Sequence, residues 1–88
     1  MASGSRGNGP TPLQRELGDR IKSRRQELEL TQAALAEKAD LHYTYIGGLE
    51  TGVRNPSIDL IARLAKAMDM DLGELVAGLQ ELPGRKAM

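Results

Sequence analysis

The 88 residues include twelve basic and twelve acidic side chains, so the net charge is zero, and the chain has no Cys, Phe or Trp. This length predicts one domain, and the lack of cysteine excludes disulfides, thiolate zinc sites and cysteine nucleophiles. No apolar run approaches the roughly 18 residues of a membrane-spanning helix, and the polar start lacks the hydrophobic stretch of a secretory signal. We therefore expect a cytoplasmic protein without a membrane partner.

Residues 1–10 are rich in Gly and Ser and show no hydrophobic periodicity, which predicts a disordered arm. The ordered domain is expected to begin next, because Thr11 and Gln14 have the spacing of a capping box and Pro12 takes the first helical position. This first helix is predicted to extend to about Leu28. Its apolar side is formed by Leu13, Leu17, Ile21 and Leu28.

Residues 31–52 are predicted to form two short helices joined by a tight corner. Thr31 has a side chain suited to a helix N-cap, and residues 32–39 are strong helix formers. Asp40 marks the corner, because Asp adopts the left-handed backbone conformation more easily than most residues. The segment therefore has the outline of a helix, a turn and a second helix.

The second helix of this segment is predicted to follow His42 as its N-cap and to extend from Tyr43 to Thr51. Gly52 comes next, as a residue that tolerates a positive φ after a helix. One face of this helix points to the core. The opposite face, which is left for a partner, carries Tyr43, Thr44, Gly47 and Gly48.

Two more helices are predicted after the loop 53–56. Ser57 caps the fourth helix, and Asp71 with Glu74 has the cap spacing that opens the fifth. The fourth helix is expected to bury Leu60, Ile61, Leu64, Ala65 and Met68. The fifth carries a long stripe of Leu72, Leu75, Val76, Leu79 and Leu82. The ordered domain is thus expected to cover residues 11–82, with 83–88 as a loose tail.

Helical periodicity alone fits an αα-hairpin in any small helical bundle equally well. The chain, however, resembles the helix-turn-helix family of phage Cro and C1 repressors over residues 13–77. The motifs LTQ, ALA, IGGLE, G-x-RNPS and LAKAM occur together at the family's spacings, which is far more specific than a lone helix-turn-helix pattern. The resemblance implies an all-α, compact five-helix bundle that binds operator DNA, usually as a two-fold dimer.

The resemblance assigns roles to three polar residues. Gln32 corresponds to a glutamine that contacts a DNA phosphate, and Arg25 and Glu50 correspond to a pair that ties the first helix to the recognition helix. The physical case for the pair is independent, because an arginine and a carboxylate at these places can form a bidentate, charge-assisted bond. The alternative is that both are solvated surface charges.

The sequence departs from the family pattern at four positions. The corner residue is usually Gly and here is Asp40, and the N-cap of the recognition helix is usually Ser or Thr and here is His42. Gly47 and Gly48 replace long polar side chains on the outward face. Two glycines either allow close approach to DNA or mark a weakly specific reader.

The recognition helix is expected to enter the major groove with its N-terminal end nearest the bases. The expected base-reading positions are Tyr43, Thr44, Gly47 and Gly48. Contacts to the DNA backbone, which set register without reading sequence, are expected from Gln32, Tyr45, Thr51, Arg54 and Asn55. A second copy is expected to pair through the C-terminal helix, at Leu75, Leu79 and Leu82. The alternative is that this helix only closes the core within one copy.

Other roles are weighed against this one. The zero net charge is unlike that of many DNA-binding domains and predicts weak non-specific binding by a monomer. An antitoxin-type module that binds a toxin and also its own operator is the main alternative, and polymerase is a possible protein partner. A restriction–modification controller is a third possibility within the family, and it would also act as a regulator. An inert tail is favoured for the N-terminal arm, although Arg6 could reach a minor groove. With one His and no metal-binding or phosphate-binding motif, we expect neither enzyme activity nor a cofactor or metal.

Overall fold

The computed structural model describes residues 9–82, and within them it contains five α-helices and no strand. The helices are α1 (Pro12–Glu27), α2 (Gln32–Ala39), α3 (Tyr43–Glu50), α4 (Ile58–Ala67) and α5 (Leu72–Val76), followed by a short 3-10 turn at Leu79–Glu81. The predicted all-α five-helix fold is confirmed. Most of the predicted arm and the whole predicted tail lie outside the described residues. None of the described helices is long and apolar enough to span a membrane.

Local capping explains where each helix begins. The Thr11 hydroxyl accepts the Gln14 N–H at 3.1 Å and the Gln14 side chain accepts the Thr11 N–H at 3.2 Å, which forms the predicted capping box. Thr31 and Ser57 accept N–H groups three residues ahead in α2 and α4. Each of these starts was predicted because the cap and its partner are close in sequence.

The core lies between the five helices, with α3 packed against α1 and α2, α4 against α2 and α5, and α5 against α1. Its largest fully buried side chains are Ile21, Leu35, Ile46, Leu49, Leu64, Met68 and Leu75. Leu13, Leu28, Leu60 and Ile61, which were predicted to face inward, are half-buried at its margin. The fully buried faces of α1 and α4 are therefore narrower than the apolar spacing in the sequence suggests.

Asp40 closes the corner between α2 and α3 in the left-handed conformation, with φ 59° and ψ 50°. Its position lets the Leu41 N–H bond to the Ala36 carbonyl at 2.8 Å. An L-residue in this conformation costs roughly 1–2 kcal/mol, and Gly carries no such cost.

Asp40→Gly is therefore expected to raise the free energy of unfolding by about 0.5–1 kcal/mol, part of the gain being lost to the greater entropy of unfolded Gly. Asp59→Gly, in the first turn of α4, is the matched control. It should lower stability by about 1 kcal/mol, because Gly is a poor residue in a helix. Urea unfolding of both variants measures the difference. An Asp40→Gly variant as destabilised as the control would mean that the Asp side chain itself stabilises the corner.

The prediction of a long C-terminal helix is wrong. α5 ends at Val76, and Gly78 follows with φ 77°. The Arg20 guanidinium donates to the carbonyls of Leu75 and Ala77 at 3.0 and 2.7 Å, so it satisfies groups at the end of α5.

This break changes the predicted dimer contact. Leu75 is fully buried and Leu79 is only 6 % exposed, because both close the core of the monomer. Neither side chain is free to contact a second copy. Leu82 is half-buried and keeps part of its surface.

Candidate nucleic-acid interface

α2 and α3 form a helix-turn-helix whose second helix has one buried side and one open side. α3 buries Ile46, Leu49 and Glu50 and packs against both α1 and α2. Tyr43 and Thr44 are exposed on the other side, and Tyr43 keeps 56 % of its surface. The open side is the one that the sequence assigned to a partner.

Arg25 and Glu50 are in contact and almost removed from solvent. Arg25 Nε donates to Glu50 Oε2 at 2.6 Å and Arg25 Nη2 to Oε1 at 3.0 Å. Their side chains are 12 % and 4 % exposed. Arg25 Nη1 also donates to the Leu30 carbonyl at 2.8 Å. The pair thus links α1, the loop before α2 and the C-terminal end of α3.

The electrostatics of the pair favour the charged guanidinium. The hydrogen bond to Glu50 raises the pKa of Arg25, burial lowers it, and the Glu50 charge raises it, with a net rise. Stability from a raised basic pKa is fully present at lower pH and is lost only as the pH rises through the folded-state value. Because the ordinary pKa of arginine already lies far above neutral pH, Arg25 stays charged at physiological pH.

Gln32 lies beside this pair. Its side-chain amide donates to Glu50 Oε1 at 3.1 Å, and it lies on the flank of α3 next to Gly47. One amide hydrogen is thus used inside the protein, and the other remains for a phosphate. The contact with DNA stays a prediction.

The N-terminal end of α3 is built by His42, Tyr43 and Thr44. His42 Nδ1 accepts the Thr44 N–H at 3.3 Å, as the predicted N-cap, and lies 2.8 Å from the Thr44 hydroxyl. In the histidine tautomer that this cap requires, Nδ1 carries no proton and the Thr44 hydroxyl donates to it. The rings of His42 and Tyr43 stack with centroids 5.2 Å apart. The methyl group of Thr44 and the acceptor lone pairs of its hydroxyl therefore remain available to a partner.

Like Gln32, the predicted backbone-binding residues Thr51 and Arg54 already have partners within the protein. The Thr51 hydroxyl donates to the carbonyls of Gly47 and Gly48 at 3.1 and 3.2 Å, so its one proton is used inside α3. The Arg54 guanidinium lies over the Tyr45 ring, 5.1 Å from its centroid. Asn55 is exposed. Thr51 is thus a poorer phosphate donor than its position suggested.

Gly48 is not the bare surface that the sequence suggested. The stem of Arg54 crosses it, and a Cβ at residue 48 would lie 2.7 Å from Arg54 Cγ. Nothing in the local sequence pattern indicated this contact, because residue 54 belongs to the loop beyond the helix.

Three arginines of α1 have structural partners instead of facing a partner molecule. Arg20 caps α5, and Arg25 pairs with Glu50, as described above. Arg24 donates to the carbonyls of Met68 and Asp69, at 3.0 and 3.1 Å, at the end of α4. All twelve acidic residues but only nine of the twelve basic ones lie in residues 9–82. The described domain thus offers only a few free cations to an anionic partner, and Arg54 is the exposed one nearest α3.

The fold defines a helix-turn-helix protein, and comparison with known proteins gives the family. Residues 21–75 match the helix-turn-helix family HTH_3. The chain is 38 % identical over 60 residues to the immunity repressor of Bacillus phage phi105, covering 68 % of this chain and 42 % of that repressor. The chain therefore belongs to the Cro/C1-type helix-turn-helix family, and the predicted resemblance is confirmed.

Solved structures agree with this assignment. The restriction-modification controller protein C.AhdI from Aeromonas hydrophila has a TM-score of 0.68 and 38 % identity, covering 69 % of this chain and 92 % of that one. The biofilm master regulator SinR, solved in complex with DNA, has a TM-score of 0.65 and 31 % identity, covering 68 % of this chain and 97 % of SinR. The chain spans less than half of the phage repressor but nearly all of these two solved chains.

Proposed function

We propose that this chain is a sequence-specific transcriptional regulator that binds double-stranded DNA with α3 in the major groove. The observation that carries the proposal is the buried Arg25–Glu50 pair, which holds α3 by its inner side. The outer side with Tyr43 and Thr44 is left exposed. A small domain that fixes one helix in this way presents its N-terminal residues to base edges. The relatives, a phage repressor, a restriction-modification controller and a DNA-bound regulator, support this role.

We further propose that the working form is a homodimer. Nine basic residues against twelve acidic ones in the described domain predict weak binding by one copy. Two copies spaced by one DNA turn, about 34 Å, would gain affinity on a pseudo-palindromic operator. Since Leu75 and Leu79 are buried, the apolar surface left near the C-terminal helix is that of the half-buried Leu72, Val76 and Leu82.

Selection from a random DNA pool at low and moderate salt tests both parts. Enrichment of a two-fold symmetric site is the expected result, and its sequence is the operator. Enrichment of a single half-site would support α3 as the reader and contradict the dimer. No enrichment at either salt would contradict DNA recognition.

A protein-binding module of the antitoxin type is the second candidate. It is favoured by two exposed apolar side chains in the segment that follows α3, Val53 in the loop at 68 % and Ile58 at the start of α4 at 62 % exposure. Exposed apolar surface can mark a contact with another protein. If this surface binds a protein partner, the Ile58→Asp variant should lose that binding. Selection of DNA by α3 should not depend on the hydrophobicity of this side chain.

Thr44 gives a test of base reading. Its hydroxyl donates to His42, so we expect its methyl group to contact a thymine methyl. Thr44→Ser should relax the preference at one base pair, with a loss of discrimination of about 1 kcal/mol, while Thr44→Val should keep it. The same random-pool selection with each variant measures this preference. If Thr44→Ser retains the preference and Thr44→Val loses it, the hydroxyl is the reading group instead.

A further inference from the structure

The glycine at residue 48 leaves a gap that a side chain from the next loop fills. A Cβ built on Gly48 would lie 2.7 Å from Arg54 Cγ, 3.3 Å from Nε and 3.5 Å from Cδ. The stem of Arg54 therefore occupies the space that the side chain of residue 48 would take. The backbone holds the loop close as well, since the Gly48 carbonyl accepts the N–H groups of Val53 and Arg54 at 2.9 and 3.1 Å.

Tyr45 provides the surface on which the guanidinium rests. The Arg54 Cζ lies 5.1 Å from the centre of the Tyr45 ring, within the range of a cation–π interaction. Tyr45 is itself half-buried and packs against the core, so its ring is a fixed platform. A cation–π contact does not require the N–H groups of the guanidinium as hydrogen-bond donors, so they remain available to a partner. Their planar fork matches a pair of oxygen acceptors such as those of a phosphate.

We propose that Gly48 and Tyr45 are positioning residues that hold Arg54 in advance for a bidentate contact with a DNA backbone phosphate. This role depends on the proposed function, because it specifies one of its DNA contacts. Gly48 acts by having no side chain, and Tyr45 acts through its ring face. Arg54 is the group that touches DNA. The glycine therefore directs a phosphate contact and is not itself a weak base reader.

The location on α3 favours a phosphate over a base. Residue 45 lies at the border between the buried and the open side of the helix, as its half-buried state indicates. The guanidinium above it is thus at the edge of the reading surface, with Gln32 beside Gly47 on the opposite edge. Residues at the edges of a helix in the major groove meet the two flanking backbones, whereas the centre meets the bases.

Gly47 is the matched control for the gap. A Cβ at residue 47 would meet only the Gln32 amide, at 3.9 Å, which is ordinary contact. Alanine therefore fits at residue 47 without any movement, whereas at residue 48 it fits only if the Arg54 side chain moves away. The displaced atoms belong to a flexible side chain, so Gly48→Ala is expected to fold.

A double-mutant cycle on DNA tests the proposal, using the site selected by the wild-type protein. Arg54→Ala should weaken binding about tenfold at all sequences and reduce the slope of log K against log salt by about one per protomer. Gly48→Ala should weaken binding comparably, and Gly48→Ala/Arg54→Ala should be no weaker than Arg54→Ala. Any effect of Gly47→Ala should instead add to that of Arg54→Ala.

Nuclear magnetic resonance of the free protein gives a readout that needs no DNA. The Arg54 side-chain protons should be shifted upfield by the Tyr45 ring in wild type, Gly47→Ala and Tyr45→Phe. They should lose that shift in Gly48→Ala and in Tyr45→Leu. If wild type selects no DNA, the proposed function fails, while these shifts still report whether residues 45 and 48 hold Arg54.

Three results would overturn the inference. Additive losses from Gly48→Ala and Arg54→Ala would mean that the two residues act separately. An unchanged Arg54 shift in Gly48→Ala would mean that the gap does not hold the side chain. Loss of preference at one G·C pair on Arg54→Ala, with no change in the salt slope, would mean that the guanidinium reads a guanine and not a phosphate.

Discussion

Gly18→Ala is expected to lower the free energy of unfolding by about 3 kcal/mol, the upper part of the range for overpacked cores. A Cβ at this position would lie 2.4 Å from the Leu49 carbonyl oxygen and 2.7 Å from that of Glu50. Both oxygens are backbone atoms at the end of α3, so no rotamer change can relieve the clash. An ordinary contact would need α1 and α3 to separate by roughly 1 Å.

The variant should also bind DNA more weakly, because the displaced helix is the proposed reader. Gly47→Ala is the control for stability. It adds the same methyl group, in α3, where the nearest atoms are those of the Gln32 amide at 3.9 Å. It should be neutral or up to about 1 kcal/mol more stable, from helix propensity alone. Thermal and urea unfolding compare the two. A Gly18→Ala variant as stable as wild type would mean that α1 and α3 are not packed backbone to backbone.

The helix starts were predictable from the sequence, whereas this close approach was not. Each start depends on a cap and a partner within three residues, as at Thr11 and Ser57, and such a pattern can be read locally. The importance of Gly18 depends on α3, which lies about thirty residues further along the chain. Its only local signal is a glycine between Leu17 and Ile21 on the buried side of α1.

The end of α5 was mispredicted because it, too, depends on a contact between residues that are far apart in the sequence. The leucine spacing from residue 72 to residue 82 satisfies one helical face, so periodicity favours a continuous helix. Gly78 adopts a positive φ, and Arg20 from α1 binds the carbonyls at the break. A contact across 55 residues cannot be found from the spacing of leucines.

The candidate site likewise has one part that the sequence predicts and another part that it does not. The outward positions of α3 follow from its period, and Tyr43 and Thr44 lie where it places them. The covering of Gly48 by Arg54 and the use of the Thr51 hydroxyl inside α3 come from side-chain conformations that no spacing encodes. Which residues are free to contact DNA is therefore a property of the folded surface.

Glu50→Ala is expected to lower the free energy of unfolding by about 3–5 kcal/mol, because it leaves the Arg25 charge buried without its partner. Arg25 and Glu50 side chains are 12 % and 4 % exposed, and Gln32 also loses its acceptor. The melting temperature should fall by about 12–40 °C for a domain of this size. Glu27→Ala is the matched control, because Glu27 pairs with Arg24 at 3.2 Å but is 65 % exposed. It should change stability by less than about 0.5 kcal/mol.

A double replacement separates stability from positioning. Arg25→Met/Glu50→Leu fills the same space with apolar side chains, and removing both charges of a buried pair is often neutral for stability. We expect its melting temperature to recover most of the loss seen in Glu50→Ala. Its affinity for the selected DNA should stay below that of wild type, because the directional bonds that join α1, Gln32 and α3 are absent. Recovery of both properties would mean that packing alone sets the angle of α3, whereas recovery of stability alone would identify the ion pair as the element that presents α3 to DNA.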